Sequence, residues 1–276
     1  ASRVNGSAHI LIDGVGHQYR PASGRPVLAL DDISLAVEDR EFVALLGPSG
    51  CGKSTLLYLI GGFLSVQQGQ VLVDGRPVAG PGPDRGIVFQ NFALFPWKTV
   101  LQNVLYGLEK QGVPREARRR RAREFIELVG LGGFEDSYPS QLSGGMKQRA
   151  AIARTLAIDP RILLMDEPFG ALDAQTRSLM QAELLRIWQA SRKTVIFVTH
   201  DVQEAVFLAE RIAVMSARPG RIKEVVETGF DKEDPGLMRS PRFLATVDHV
   251  WGLVRAEAVI AERVGAGTGA RAAHGA

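Results

Sequence analysis

Gly47-Pro48-Ser49-Gly50-Cys51-Gly52-Lys53-Ser54-Thr55 follows the pattern G-x-x-x-x-G-K-[ST], and what flanks it decides the fold. The preceding run, Phe42-Val43-Ala44-Leu45-Leu46, is continuous, apolar and β-prone, so it reads as a buried strand. The following Leu56-Leu57-Tyr58-Leu59-Ile60 suits the first turns of a helix. Strand, glycine-rich turn and helix together make a phosphate cradle. Gly47, Gly50 and Gly52 let the backbone turn tightly, so that successive N–H groups point inward at an anion. The helix N-terminus adds unpaired donors and the positive end of its dipole. On this reading Lys53 reaches the outer phosphates, the Ser54 hydroxyl holds Mg²⁺ and Thr55 bonds the phosphates. The plain alternative is a glycine-rich turn that binds nothing, and the flanking elements argue against it.

Working outward, 276 residues suffice for one large α/β domain, with or without a small appendage. An apolar fraction of 45% is ordinary for a globular protein. The net charge of +3 permits an anionic partner and demands none. The single cysteine, Cys51, excludes an intrachain disulfide and fits a reducing compartment. There is no apolar run of about 18 residues, hence no expected membrane span. Residues 1–8 read as a disordered end without the apolar centre of a signal peptide.

Before the cradle, Ile10-Leu11-Ile12 leading toward Tyr19, and Ile33-Ser34-Leu35-Ala36-Val37, are strand-like runs. The turn-rich 20–26 joins them, which predicts an antiparallel layer. Tyr19 is either an edge aromatic covering that layer or a face on which a base stacks. After the cradle, Asp74-Gly75 marks a short hairpin. Gly86-Ile87-Val88-Phe89 then reads as a buried strand ending at Gln90, which either reaches a metal-bound water or satisfies backbone groups.

Helical spacing follows from Val100 to Gly130. The connection before it, Phe92-Ala93-Leu94-Phe95-Pro96-Trp97, is unusually aromatic: a loop packed on the core, or a docking surface. Arg118 to Arg121 are interleaved with glutamates nearby and read as a solvated helix face. Ser143 is a natural N-cap, and Gly144 and Gly145 leave the next N–H groups bare, so a helix from there to about Ile158 offers a second anion site or a simple capped start.

Ile162-Leu163-Leu164-Met165 reads as a buried strand ending at Asp166-Glu167, two carboxylates that point to opposite sides. Asp166 suits support of Mg²⁺ and Glu167 suits orientation and deprotonation of a water. A helix is expected over 176–190, a strand through Val195-Ile196-Phe197-Val198 to Thr199 and His200, and helix again over 202–211. His200 is either structural or a γ-phosphate ligand. Strands are expected at 212–215 and 222–226, a short helical tail after Thr228, and disorder over 265–276.

These residues resemble the nucleotide-binding subunit of ATP-binding-cassette (ABC) transporters over nearly all of 9–226. Five elements stand in the family's order: Gly47–Thr55 (Walker A), Gln90 (Q-loop), Leu142–Gln148 (signature), Ile162–Glu167 (Walker B) and His200 (switch histidine). Met146 stands where many relatives carry Gln. Within the family the chain is similar to the importer ATPases of the nitrate, sulfonate and taurine group. Gly80-Pro81-Gly82-Pro83-Asp84-Arg85-Gly86, Phe95-Pro96-Trp97, Asp166-Glu167-Pro168-Phe169-Gly170-Ala171-Leu172-Asp173 and the Arg-Pro-Gly-Arg of 215–221 carry that likeness.

The resemblance implies an α/β P-loop NTPase fold with a RecA-like core, an antiparallel β layer and an inserted helical subdomain near 91–158. The ATPase domain would span 9–228 and a helical extension 229–264. ATP with Mg²⁺ would be bound by Gly47, Pro48, Ser49, Gly50, Cys51, Gly52, Lys53, Ser54, Thr55 and Tyr19. Ser54, Gln90 and Asp166 would serve the metal, and Glu167, His200, Gln90 and Lys53 catalysis. Asp173, and Ser143, Gly144 and Gly145 of a second, identical or paralogous subunit, would complete the site. A permease in the membrane would dock near Phe92–Trp97, with an extracytoplasmic solute-binding protein acting indirectly. That places the chain peripherally on the cytoplasmic face of the membrane. The alternatives are a detached exporter ATPase and an ABC ATPase acting on nucleic acid. Against the latter, the roughly ninety residues from Lys53 to Ser143 contain no heptad run and no cysteine pair.

Overall fold

The computed structural model describes residues 9–21 and 24–272. The ends 1–8 and 273–276, and part of the connection after Tyr19, lie outside the described residues, and with them the disorder expected for 1–8 and for the last four residues of 265–276. The chain divides into two compact units: one runs to Pro81 and resumes at Thr194, the other is Gly82–Lys193.

The first unit begins with β1 (Ile10–Tyr19), β2 (Val27–Val37), β3 (Phe42–Leu46), α1 (Lys53–Ile60), β4 (Gln68–Val73) and β5 (Arg76–Pro77). The second unit contributes β6 (Arg85–Val88), α2 (Val100–Lys110), α3 (Arg115–Leu128), α4 (Gly144–Ala157), β7 (Ile162–Asp166) and α5 (Ala174–Ser191). The first unit then resumes with β8 (Thr194–Thr199), α6 (Val202–Leu208), β9 (Arg211–Met215), β10 (Ile222–Glu227) and α7 (Pro241–Ala272).

In the first unit, β2, β1, β4 and β5 form an antiparallel sheet in that order. β2 is longer than its apolar core 33–37 suggested. Asp32 takes φ 54°, and the β1–β2 register shifts near it, so a polar interruption is absorbed rather than ending the strand. The β4–β5 turn has φ 49° at Asp74 and 70° at Gly75, the left-handed pair that a two-residue hairpin demands. β3 pairs in parallel with β8 and β9, and β10 adds antiparallel to β9. Every residue of β3 and β8 is buried, which is why β3 and the Val195–Val198 centre of β8 are unbroken apolar runs.

Two boundaries differ from the sequence reading. The helix expected to reach Arg211 stops at Leu208, because Arg211 pairs with Val43 as the first residue of β9 and its guanidinium bonds Glu41 at 3.0 Å. The C-terminal helix is long and runs on to Ala272, into the segment expected to be disordered.

In the second unit, β6 and β7 are parallel neighbours, and α2, α3 and α4 pack on one another, with Val104, Leu108, Ala122, Ile126, Ile152 and Leu156 buried. The helical stretch is broken between α2 and α3, where Gly112 has φ 73° and Pro114 precedes the first helical residue. Arg120 pairs with Glu124 at 3.8 Å and both are exposed, as a solvated face requires.

Candidate nucleotide site

The first unit supplies the phosphate loop. α1 begins at Lys53, with Gly52 at its N-cap in a left-handed conformation (φ 106°) and no side-chain cap, so the first amides of the helix are left for a ligand. A Cβ on Gly52 would lie 2.6 Å from Leu30 Cδ2, so only glycine fits. Lys53 is 6% exposed, and its ammonium donates to the carbonyls of Gly47 at 2.8 Å and Pro48 at 3.0 Å. A buried cation held inside a loop with an uncapped helix end suits a polyphosphate. Cys51 is buried, and burial pushes its thiol pKa up despite Lys53 nearby, so this position offers its backbone rather than a thiolate.

Tyr19 closes β1 with its hydroxyl 3.0 Å from Thr55 Oγ1 and its ring 43% exposed. His17 packs edge-on against it at 4.9 Å, and burial lowers the pKa of that imidazole. The tyrosine is therefore tied to the loop with a face left open. His200 is exposed just past β8, where Asp201 caps α6 by accepting from Glu204 N at 3.1 Å.

The second unit holds the acidic part. Asp166 ends β7 and is 1% exposed. Glu167 has φ 47°, a left-handed conformation uncommon for this residue type and typical of functional turns. Gln90 Nε2 donates to Glu167 Oε2 at 3.4 Å, so these two predicted residues meet. Ser143 caps α4 as expected, its hydroxyl accepting from Met146 N at 3.3 Å, and Ser143 and Gly144 are exposed. Gly145 sits close to Leu172, whose Cδ2 would be 3.2 Å from an added Cβ. Asp173 plays a structural part, since its carboxylate accepts from Thr176 N at 2.9 Å and caps α5, and that hydrogen bonding lowers its pKa.

The aromatic connection is a built surface. Arg154 donates to Ala93 O at 2.6 Å and Phe92 O at 3.1 Å, where both residues have positive φ. Asn103, fully buried, accepts from Phe95 N at 2.9 Å and donates to the carbonyls of Lys98 and Thr99 at 3.0 Å each. Trp97 is left 70% exposed beside a groove of about 320 Å³ lined by Phe89, Ala93, Phe95, Tyr106 and Arg154. Sequence reasoning named neither Arg154 nor Asn103. The available signal was a polar Asn103 between the core positions Val100 and Val104.

The ABC transporter family model matches residues 30–170 of this chain. The chain belongs to the ABC transporter family. An uncharacterized ABC transporter ATP-binding protein of Methanocaldococcus jannaschii is 59% identical over 222 residues, 80% of this chain and 82% of that protein. A taurine import ATP-binding protein of Pseudomonas entomophila is 49% identical over 245 residues, 87% of this chain and 93% of that protein. Among solved structures, a dimeric ATP-binding cassette in a post-hydrolysis state bound to ADP and Pi superposes with TM-score 0.73 at 34% identity, covering 80% of this chain and all 100% of that one. The fold is that of ABC cassettes, and the activity is ATP hydrolysis of the ABC type, coupled to transport. No helix among the described residues is long and apolar enough to cross a membrane.

Proposed function

We propose that this cassette powers import of a small solute across the cytoplasmic membrane, by closing on a second cassette around ATP. The solute is nitrate, a sulfonate, taurine or a chemical relative. The likeness to taurine import ATP-binding proteins supports that group. One observation carries the coupling: Gln90, hydrogen-bonded to Glu167, lies two residues before the braced loop that presents Trp97. A membrane subunit resting on Trp97 therefore acts on a loop two residues from the glutamine that contacts the proposed catalytic carboxylate.

Phosphoryl transfer asks for positioning and charge stabilisation rather than covalent chemistry. The amides of 50–54 and Lys53 receive the phosphates, and Tyr19 stacks on the adenine. Glu167 orients the attacking water and takes its proton, Gln90 holds that carboxylate in register, and His200 bonds the γ-phosphate. Ser143, Gly144 and Gly145 of the second cassette cover the γ-phosphate with the bare end of their helix. Mg²⁺, when bound, screens phosphate charge; Ser54, Asp166 and Gln90 would hold it. Among the described residues no group of three His, Cys, Asp or Glu could bind a metal alone. That fits Mg²⁺, which takes one or two carboxylates and completes its shell with phosphate oxygens and water.

The docking reading is tested with Trp97→Ala. The ATPase rate of the isolated subunit should stay within about twofold, because Trp97 is exposed and away from the phosphate loop in sequence. Transport by the assembled permease complex should fall at least about tenfold, the scale of losing a buried aromatic anchor. Normal transport by the variant would contradict the docking role.

A further inference from the structure

The Arg-Pro-Gly-Arg of the β9–β10 connection has no part in the chemistry above, yet it lies directly on the phosphate loop. Arg218 Nε and Nη2 both donate to the Gly50 carbonyl, at 3.0 and 2.9 Å. Gly50 itself is left-handed, with φ 74°. Gly220 packs backbone to backbone beside the loop, since an added Cβ would stand 2.1 Å from Cys51 O. The connection is itself pinned: Gly220 N donates to Ala29 O at 2.9 Å, Asp31 N to Gly220 O at 3.0 Å, and Arg221 pairs with Asp31.

Its other anchor is on the C-terminal helix. Glu257 of α7 is 6% exposed and spends both oxygens on this connection and the strand after it. Oε2 accepts from Ala217 N at 2.9 Å, and Oε1 accepts from Lys223 Nζ at 2.7 Å. Burial pushes the Glu257 carboxyl pKa up, but Lys223 and the Ala217 amide outweigh it and hold the group below the usual carboxylate range. A buried carboxylate with one partner in the connection and the other in the strand that follows it fixes that connection, because leaving the carboxylate unpaired is expensive.

We propose that Arg218 and Glu257 are positioning residues for the phosphate loop, Glu257 fixing the β9–β10 connection and Arg218 fixing Gly50, so that nucleotide affinity depends on the docking of α7. The proposal rests on the reading of 47–55 as the nucleotide loop. It gives the C-terminal extension a role that the motifs of the cassette do not contain. Neither side chain touches the reacting atoms; both act through the conformation of the Gly50 peptide and the amides that follow it. Loss of the pair should therefore appear in nucleotide affinity rather than in the chemical step.

The test measures the KM for Mg-ATP, kcat and calorimetric ADP binding for full-length wild type, Arg218→Ala, Glu257→Ala, Glu257→Gln and the Arg218→Ala/Glu257→Ala double variant. Arg218→Ala should raise KM and weaken ADP binding about tenfold, the factor carried by a lost charge-assisted hydrogen bond, with kcat within about twofold. Glu257→Ala should weaken binding about threefold or more. Glu257→Gln, which keeps an acceptor for Ala217 N, should recover most of that loss, and it serves if Glu257→Ala fails to fold. The double variant should bind no more weakly than Arg218→Ala, because both act through one carbonyl. Arg218→Ala with wild-type KM, or additive losses in the double variant, overturns the proposal. Wild type that fails to bind ADP overturns the nucleotide-loop reading instead.

Discussion

Replacing Asn103 by Ala removes the brace beneath the proposed docking loop. The wild-type amide is fully buried and ties residues 95–99 to the first turn of α2. Its oxygen takes the Phe95 amide at 2.9 Å, and its nitrogen serves the Lys98 and Thr99 carbonyls at 3.0 Å and Phe95 O at 3.3 Å. Each intramolecular hydrogen bond contributes about 1 kcal/mol net, and a buried amide left unpaired costs about 1–3 kcal/mol. The expected loss is about 2–4 kcal/mol, less than the stability of a typical domain, so the protein folds with a loosened loop. Denaturant titration reads the global loss, and hydrogen exchange at Phe95 and Lys98 reads the local one. Transport should fall with Trp97 misplaced, while the isolated subunit keeps its ATPase. Asn103→Asp keeps an acceptor for the Phe95 amide but sets a buried carboxylate oxygen against the carbonyls of Phe95, Lys98 and Thr99, so it should lose at least as much as Asn103→Ala. A stability loss under about 0.5 kcal/mol, with unchanged exchange at Phe95, would refute the reasoning.

Three further outcomes follow from the same geometry. Gly52→Ala puts a Cβ 2.6 Å from Leu30 in a left-handed conformation, so ADP affinity should drop at least about tenfold; calorimetry checks this, and wild-type affinity would sink the close-packing argument. Glu167→Gln should bind ATP as tightly as wild type and lose turnover; retained turnover in a phosphate-release assay would remove Glu167 from its role. Lys232 donates to Val206 O and Ala209 O, and burial lowers its pKa to about 8 although Glu210 opposes the shift. The unfolded chain then holds the proton to higher pH than the folded one. Stability of wild type relative to Lys232→Met should therefore rise between about pH 8 and about 10, by at most about 1.4 kcal/mol per pH unit. A flat difference in paired urea titrations would contradict it.

Much of this was legible in the chain because the signals are local. The phosphate loop declares itself in nine residues between a buried strand and a helix, and the structure keeps both neighbours. Asp74-Gly75 predicted its hairpin, and Ser143 its cap, from the geometry of one or two residues. What was hidden depends on partners far apart. Arg218 meets Gly50 across 168 positions, and Glu257 meets Ala217 across 40, so neither contact leaves a periodicity. Arg211 looked helical because Val202 to Leu208 is helical and nothing local forbids another turn. Its pairing with Val43 and Glu41, set by the sheet, ended the helix earlier. Asp173 matched a family position, while its visible role, capping α5, is the ordinary one for an aspartate before a helix.

We propose that one chain holds only part of a working site and that ATP joins two of them. Sedimentation of full-length Glu167→Gln with saturating Mg-ATP, and separately with Mg-ADP, tests it most directly. A species of twice the 29.9 kDa chain mass is expected with ATP and the single chain with ADP. Ser143→Arg in the same background should abolish the larger species. A single chain at saturating ATP, with bound nucleotide confirmed by filtration, would show that ATP does not join two chains.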